Sequence, residues 1–345
     1  MSEPISSRER IRRKKRRRRR RIRIFLLLLI LILLIAIVGV LFVTRLLGKI
    51  NKNSLDESKL YKHEVEGFTN ILLLGVDARD MSDVDNARTD AIMIASINDE
   101  TKEVTLTSIY RDTYLEMGDS GDYDKITHAH YYGGAEMSIA TVNRALDLDI
   151  DKYVLVNFKC VADAIDAMDG IEVEVEDYEI EELNKYTKET ARIIGREDYH
   201  LVSSPGNQTL DGCQAVAYGR IRKGVGDDFK RTDRMRLVLS KMMKKAQAMS
   251  AKDLSAVMNV VLPELQTNMS NRDMVEFGLI AKDMTLNSSK GFPYEKTTGL
   301  INGMDCVIAV DLAEDVKTLH REIFGEAEYE PSETVLEISQ VASYY

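Results

Sequence analysis

The chain has 345 residues, 44% hydrophobic and 30% charged, with a formal net charge of −9. That hydrophobic content excludes a chain disordered throughout, and only 20 Gly and 5 Pro exclude a collagen-like composition. The charge is unevenly spread: residues 8–23 hold 13 of the 47 Lys and Arg, and beyond residue 23 there are 34 basic and 54 acidic residues, a net −20, an asymmetry foreign to a generic soluble enzyme.

Residues 1–23 form the basic block, with Glu3 and Glu9 its only acids. Residues 24–43 follow as 20 consecutive uncharged residues, mostly Leu, Ile and Val. As a helix they reach about 30 Å, the thickness of a bilayer's hydrocarbon core. The run is longer than a signal-peptide core, and no A-x-A-like cleavage site follows. An uncleaved transmembrane helix over 24–45 is therefore expected. A single such run excludes a multi-span transporter. Positive charge stays on the cytoplasmic side, so the N-terminus is predicted inside and everything beyond Arg45 outside. This makes the basic block a topology signal in contact with anionic lipid, not a nucleic-acid patch. The expected localisation is the cell membrane, single-pass, with an extracytoplasmic domain. Residues 46–66 are polar, without apolar period, and read as a stalk.

Apolar runs at 70–75, 90–97 and 104–109 read as buried strands, the last two joined by a turn-rich hairpin over 98–103. Helical spacing appears over 135–146. Residues 153–158 are strand-like and lead into a helix over 161–168, which Asp169-Gly170 ends before a strand at 171–175. Residues 176–203 are charged and partly helical. A short strand is expected at 215–221, a long basic helix at 231–249 and further helices within 253–285. A strand at 306–310 precedes a helix capped by Asp311, with Glu314 three residues on and Gly325 as the stop. The segment 326–345 is acidic and poorly patterned, and reads as a tail. Alternating strands and helices with one early hairpin predict an α/β fold, an αβα sandwich with a mixed central sheet. Residues 67–325 are expected to form one catalytic domain.

Cys160, Cys213 and Cys306 are too few, and odd in number, for a disulfide framework, so all three are expected to be buried. His128 and His130 form an HxH pair with no third ligand of matching spacing, and are expected to shape the loop before Gly133-Gly134. The informative pattern is where Asp and Arg fall. Asp77 and Arg79 follow the first strand, Arg88 and Asp90 precede the second, and Arg111 and Asp112 follow the third. Arg220 and Arg222 stand at i, i+2, and Asp228, Arg231 and Arg234 follow. Ligands of open α/β sheets sit beyond strand ends. Arginine forks suit phosphate oxygens, and paired Asp suit Mg²⁺, which takes one or two carboxylates plus substrate phosphates. One Asp-Arg pair would be an ordinary surface ion pair; several at strand ends describe a site for a metal–pyrophosphate. The site is predicted as a basic pit in an acidic surface.

At these residues the chain resembles the LytR-CpsA-Psr family of bacterial envelope proteins. The resemblance is carried by Leu73-Leu74-Gly75-Val76-Asp77-Ala78-Arg79, Ala87-Arg88-Thr89-Asp90, Ser108-Ile109-Tyr110-Arg111-Asp112, Lys125-Ile126 with Gly133-Gly134, Asp169-Gly170-Ile171-Glu172-Val173, Leu210-Asp211-Gly212, Ala217-Tyr218-Gly219-Arg220-Ile221-Arg222 and Asp228-Phe229-Lys230-Arg231 with Arg234. No piece is specific alone; the ordered series over 67–325 is. The resemblance implies a transferase that moves a phosphate-linked glycopolymer (teichoic acid, capsule or similar) from undecaprenyl pyrophosphate to peptidoglycan, in an envelope of Gram-positive type. It implies an apolar tunnel for the polyprenyl chain. It makes Asp77 and Asp90 the ligands of Mg²⁺ (Mn²⁺ being the alternative). Arg79, Arg88, Arg111, Arg220, Arg222 and Arg231 become the pyrophosphate clamp. Arg111, Asp90 and Asp228 are the catalytic candidates, the two Asp as bases for the acceptor hydroxyl. Val238 and Met242 are expected to line an apolar slot beyond Arg231. Tyr110 replaces the family's usual Pro, and Met235 its usual Gln. Two alternatives stand: a non-catalytic regulator that binds lipid-linked polymer, and a metal-dependent lipid pyrophosphate hydrolase.

Overall fold

A computed structural model describes residues 44–78, 84, 87–222 and 227–344; the side chains of residues 227 and 228 lie outside this set. Of the predicted span at 24–45, residues 24–43 lie outside it too, and no described helix is long and apolar enough to cross a membrane. The unit Ile50–Tyr345 is compact.

It opens with β1 (Asn51–Lys52), then β2 (Phe68–Val76), β3 (Thr89–Asn98) and β4 (Glu103–Ile109). A hairpin of β5 (Tyr114–Glu116) and β6 (Tyr123–Lys125) leads to α1 (Ala129–Leu146). Next come β7 (Lys152–Asn157), α2 (Phe158–Ala167), β8 (Ile171–Val175), α3 (Ile180–Ile193), β9 (Gly206–Leu210) and α4 (Gly212–Tyr218). The long α5 (Asp227–Ala248) is followed by α6 (Ala251–Val261), β10 (Leu265–Thr267), α7 (Asn271–Ile280) and β11 (Thr285–Phe292). β12 (Lys296–Ile301), β13 (Met304–Ala309), α8 (Leu312–Leu319) and α9 (Glu333–Ala342) complete it.

Seven strands form the central sheet in the order β1-β10-β7-β2-β3-β4-β11. It is mixed, as expected: β2–β3 and β3–β4 are antiparallel, β2–β7 and β4–β11 parallel. Period-two alternation divides its faces. Leu72, Leu74, Ile92, Ile94 and Ile109 pack with Ile139 and Leu146 of α1, Val316 of α8, and Val335 and Ile338 of α9. The opposite face presents Ile71, Ala95, Ile97 and Leu106, joined by Leu239 of α5 and Phe277 of α7. Helices on both faces make the αβα sandwich.

Local signals explain most boundaries. Asn157 caps α2, accepting from Cys160 N at 2.8 Å, and Asp169 and Gly170 end the following turn at φ of 60° and 79°. Asp311 caps α8 through Glu314 N at 3.1 Å. Other readings need correction. Residues 212–218 are helix α4, not part of a strand over 215–221. The overlooked signal is a capping box, Asp211 with Gln214, each side chain meeting the other's backbone N–H at 2.9 Å. Strand β8 pairs with β9 and stays out of the central sheet. The supposed stalk is part of the compact unit from Ile50 on: Leu60 and Val65 sit in the main core. The supposed tail carries α9, whose Val335 and Ile338 are buried.

Candidate active site

Strands β2 and β4 both run antiparallel to β3, so the exits of β2 and β4 share one sheet edge with the entry of β3. Asp77, the Arg88/Asp90 pair and the Arg111/Asp112 pair, separated in sequence, meet there for that reason. Asp77 leaves β2 with its N–H on Arg88 O at 3.4 Å. Asp90 opens β3, and Arg111 leaves β4. Arg111 Nη1 donates to Asp90 Oδ1 at 2.6 Å and its Nε lies 3.4 Å from Asp112 Oδ2, while Lys125 steadies Asp112 from 3.1 Å. Arg231, in the first part of α5, is only 1% exposed; its Nη1 lies 3.9 Å from the same Asp90 oxygen.

Arg220 comes from the segment after α4. Its Nη1 donates to Thr190 Oγ1 at 3.0 Å and its Nη2 to Glu189 Oε1 at 2.7 Å. Its guanidinium also lies 5.1 Å from the Phe158 ring and 5.3 Å from the Tyr186 ring. Helix α4 delivers it by pressing onto α2: a Cβ at Gly212 would come within 2.1 Å of Ala162 O, so only glycine allows the approach. Arg88 and Arg222 are exposed on the rim. Arg79 lies outside the described residues. Asp228 belongs to the first turn of α5, and its side chain lies outside the described set. Arg234 turns away from this edge. It is buried on Glu179 (Nε–Oε1 2.9 Å) and on Ile221 O (3.1 Å).

Among the described residues, six cations line one cavity of about 450 Å³ (Arg88, Arg111, Lys185, Arg220, Arg222, Arg231) against three carboxylates (Asp77, Asp90, Glu189). The predicted basic pit is therefore present. Desolvation raises the Asp77 pKa, the charge of Asp90 raises it further, and Arg220 and Arg111 oppose both.

A second cavity of about 250 Å³ is apolar and shares Asp90, Arg220 and Met235 with the first. Helix α5 runs through both: Arg231 and Met235 border the polar pit, and Met235, Val238, Leu239 and Met242 border the apolar cavity. That spacing is one face of a 3.6-residue helix. The expected slot at Val238 and Met242 is there, with Leu73, Met93 and Val154 of the sheet opposite. The site thus suits a molecule with an anionic head and a long apolar tail.

The LytR_cpsA_psr family model matches residues 40–320. The chain belongs to this family. It is 34% identical over 232 residues to the polyisoprenyl-teichoic acid–peptidoglycan teichoic acid transferase TagT of Bacillus subtilis (strain 168), covering 65% of this chain and 68% of the relative. To TagU of Enterococcus faecalis it is 30% identical, with the same shares covered. Among solved structures, TagT bound to LI-WTA superposes with a TM-score of 0.62 at 28% identity, over 79% of this chain and 99% of that one. The YwtF (TagT) structure with bound octaprenyl pyrophosphate lipid gives 0.58 at 26% identity, with the same coverage.

For a LytR-CpsA-Psr protein, two residues of this chain stand out. The Tyr110 N–H donates to Phe292 O at 3.1 Å, a bond that the usual Pro cannot make. Its ring packs edge-on against Phe229 of α5 at 4.6 Å, and Lys296 Nζ lies 4.8 Å from its centre. The β4 exit is thereby tied to the start of the helix that carries Arg231. Met235, where the resemblance leads one to expect Gln, places an apolar side chain where pit and apolar cavity meet. Sequence reasoning missed Lys185, Tyr186 and Glu189 on α3, which line the pit. Only the i, i+4 placement of Lys185 and Glu189 hinted at a shared face. The cysteines are unpaired and buried, as expected, with burial pushing the Cys160 thiol up to about 12.

Asp77 and Asp90 fit a divalent cation. They line one cavity, and the negative charge of Asp90 raises the Asp77 pKa, a repulsion that a cation relieves. Among the described residues no group of three or more His, Cys, Asp or Glu could hold a metal ion by itself, so a cation here would need further ligands such as substrate phosphates.

Proposed function

We propose that this protein is a membrane-anchored phosphotransferase that moves a phosphate-linked glycopolymer from undecaprenyl pyrophosphate to a peptidoglycan hydroxyl. Residues 1–23 lie in the cytoplasm, 24–45 span the membrane, and the catalytic unit faces the wall. The observation that carries the reading is the junction at Asp90, Arg220 and Met235, where an arginine-lined pit opens into an apolar cavity. An amphiphile whose charged pyrophosphate sits directly before a prenyl tail matches that change of lining. The transferase names of TagT and TagU, and the octaprenyl pyrophosphate lipid in a YwtF structure, support it.

The acceptor hydroxyl oxygen attacks the phosphorus next to the sugar. A new P–O bond forms, the bond to the bridging oxygen breaks, and undecaprenyl phosphate leaves with that electron pair. Arg111, Arg220 and Arg231 stabilise the charge that gathers on the leaving phosphate, with Arg79, Arg88 and Arg222 completing the clamp. Asp90 is committed to Arg111, which favours Asp228 as the group that takes the hydroxyl proton. Asp77 and the Asp90 oxygen left free by Arg111 would hold Mg²⁺, with Mn²⁺ a close substitute, and such an ion would supply charge neutralisation at the pyrophosphate.

The test incubates residues 50–345 with undecaprenyl-pyrophosphate-linked disaccharide, peptidoglycan oligomer and Mg²⁺, with and without chelator, followed by mass spectrometry. A phosphodiester-linked glycan that chelator abolishes is expected. Release of glycan phosphate without linkage would make the protein a hydrolase, and tight binding with neither product a regulator.

A further inference from the structure

We propose that Tyr131 and Tyr132 form a sugar-binding subsite at the mouth of the pit, stacking on a pyranose ring of the glycan; this rests on the transferase reading. Both are large apolar side chains left in water, 52% and 54% exposed. Exposure alone is ordinary; their placement is not.

Residues 127–130 are stitched to the segment that carries Arg88. Thr127 Oγ1 donates to Thr89 O at 2.7 Å, and His130 Nδ1 lies 3.0 Å from Ala87 O, which can only accept. Arg88 lines the pit and is exposed, so the tyrosine pair follows directly from a strap fastened on both sides of a rim arginine. The phenol of Tyr132 has its pKa raised first by its bond to Asp124, while Arg88 pulls it down, which agrees with that proximity. Immediately after the pair, Gly133 and Gly134 leave helical geometry (φ −155° and 64°), so the two rings stand at a corner.

Tyr132 is also anchored. Tyr132 OH donates to Asp124 Oδ2 at 2.5 Å, and His128 Nδ1 lies 2.8 Å from the same oxygen. The rings meet edge-on, with centroids 5.8 Å apart. A fixed aromatic face costs little conformational entropy on binding. The C–H face of a pyranose is apolar and its rim is hydroxyl-rich. Asp124 also accepts from Lys125 N at 2.7 Å, and three bonds leave a carboxylate room to accept from a sugar hydroxyl. The prenyl end of the donor is drawn toward the apolar cavity, so the glycan end leaves the pit past the open rim. Acceptor and donor glycans share this chemistry.

The test measures binding to the 345-residue chain in detergent, wild type against the Tyr131→Ala/Tyr132→Ala double variant and Tyr132→Phe. Three probes are used: octaprenyl pyrophosphate, the same lipid carrying a disaccharide, and a muramyl oligosaccharide without lipid. The double variant is expected to bind a sugar-bearing probe about tenfold more weakly and octaprenyl pyrophosphate unchanged. Tyr132→Phe, which keeps the ring, stays near wild type. A loss confined to the disaccharide lipid assigns the subsite to the donor, and one confined to the oligosaccharide assigns it to the acceptor. Unchanged binding of both sugars, or an equal loss of sugar-free lipid, overturns the proposal. Failure of the wild type to bind octaprenyl pyrophosphate would sink the transferase reading instead, and the oligosaccharide arm would still decide the subsite.

Discussion

Arg111 Nη1 lies 2.6 Å from Asp90 Oδ1, joining the exit of one strand to the entry of its antiparallel neighbour. The bond aims a guanidinium into the pit and occupies one oxygen of a proposed metal ligand. Arg111→Ala should lower transfer about 100-fold or more with unfolding midpoints unchanged. Arg111→Lys should restore only part of it, because an ammonium cannot make the forked contacts. Transfer assays beside denaturation curves check this; a wild-type rate in Arg111→Ala would remove Arg111 from the clamp.

Arg234 belongs to the same sequence motif and has a different task. With its Glu179 partner buried and a further bond to Ile221 O, it anchors the segment between Arg220 and Arg222. Arg234→Ala leaves Glu179 as an uncompensated buried charge and should cost about 3–5 kcal/mol of stability. Urea titration measures that loss. Destabilisation below about 1 kcal/mol would show that the pair contributes no more than a surface bridge.

Ala164 of α2 is buried and borders the apolar cavity. Ala164→Phe should shorten the tail that the cavity accepts. Competition among prenyl pyrophosphates of increasing length should show affinity falling for long chains and holding for short ones. Equal affinities across the series would place the tail elsewhere.

Asp315 supplies the clearest pH dependence. It is buried and accepts the N–H of Tyr294 at 3.0 Å and of Glu295 at 3.3 Å, yet burial outweighs those bonds and pushes its pKa up to about 6. The folded state therefore holds this proton more tightly than the unfolded chain does. The associated stability is complete below about pH 4 and is lost as pH rises through about 6, at most about 3 kcal/mol. Asp315→Asn should flatten that part of the stability–pH curve. An unchanged slope in the variant would assign it to another group.

Much of the site was legible because apolar runs and helical spacing are local. Continuous apolar runs at 70–75 and 90–97 located two strands, and hence Asp77 and Asp90 at their ends, within two residues of the bounds of β2 and β3. Helix α5 was legible for the same reason, as Arg231, Val238 and Met242 fall on one helical face. The 215–221 segment misled because a short apolar run has no period of its own, and only the Asp211–Gln214 capping box marked it as helix. Strand β11 was missed because its burial is slight on both faces; its place comes from pairing with β4.

By itself the sequence determined the run at 24–43 that is long enough to span a bilayer, the buried strands, and the Asp and Arg residues stationed at their ends. These are properties of neighbours along the chain, where period and charge order are written directly. Only the tertiary structure decided that Glu189 and Tyr186 of α3 grip and flank Arg220, that Arg234 serves the scaffold, and that α9 completes the core beneath α1 and α8. Each depends on contacts between residues distant in sequence, formed when apolar faces seek cover on the same sheet, and no local pattern specifies which distant partner will meet them.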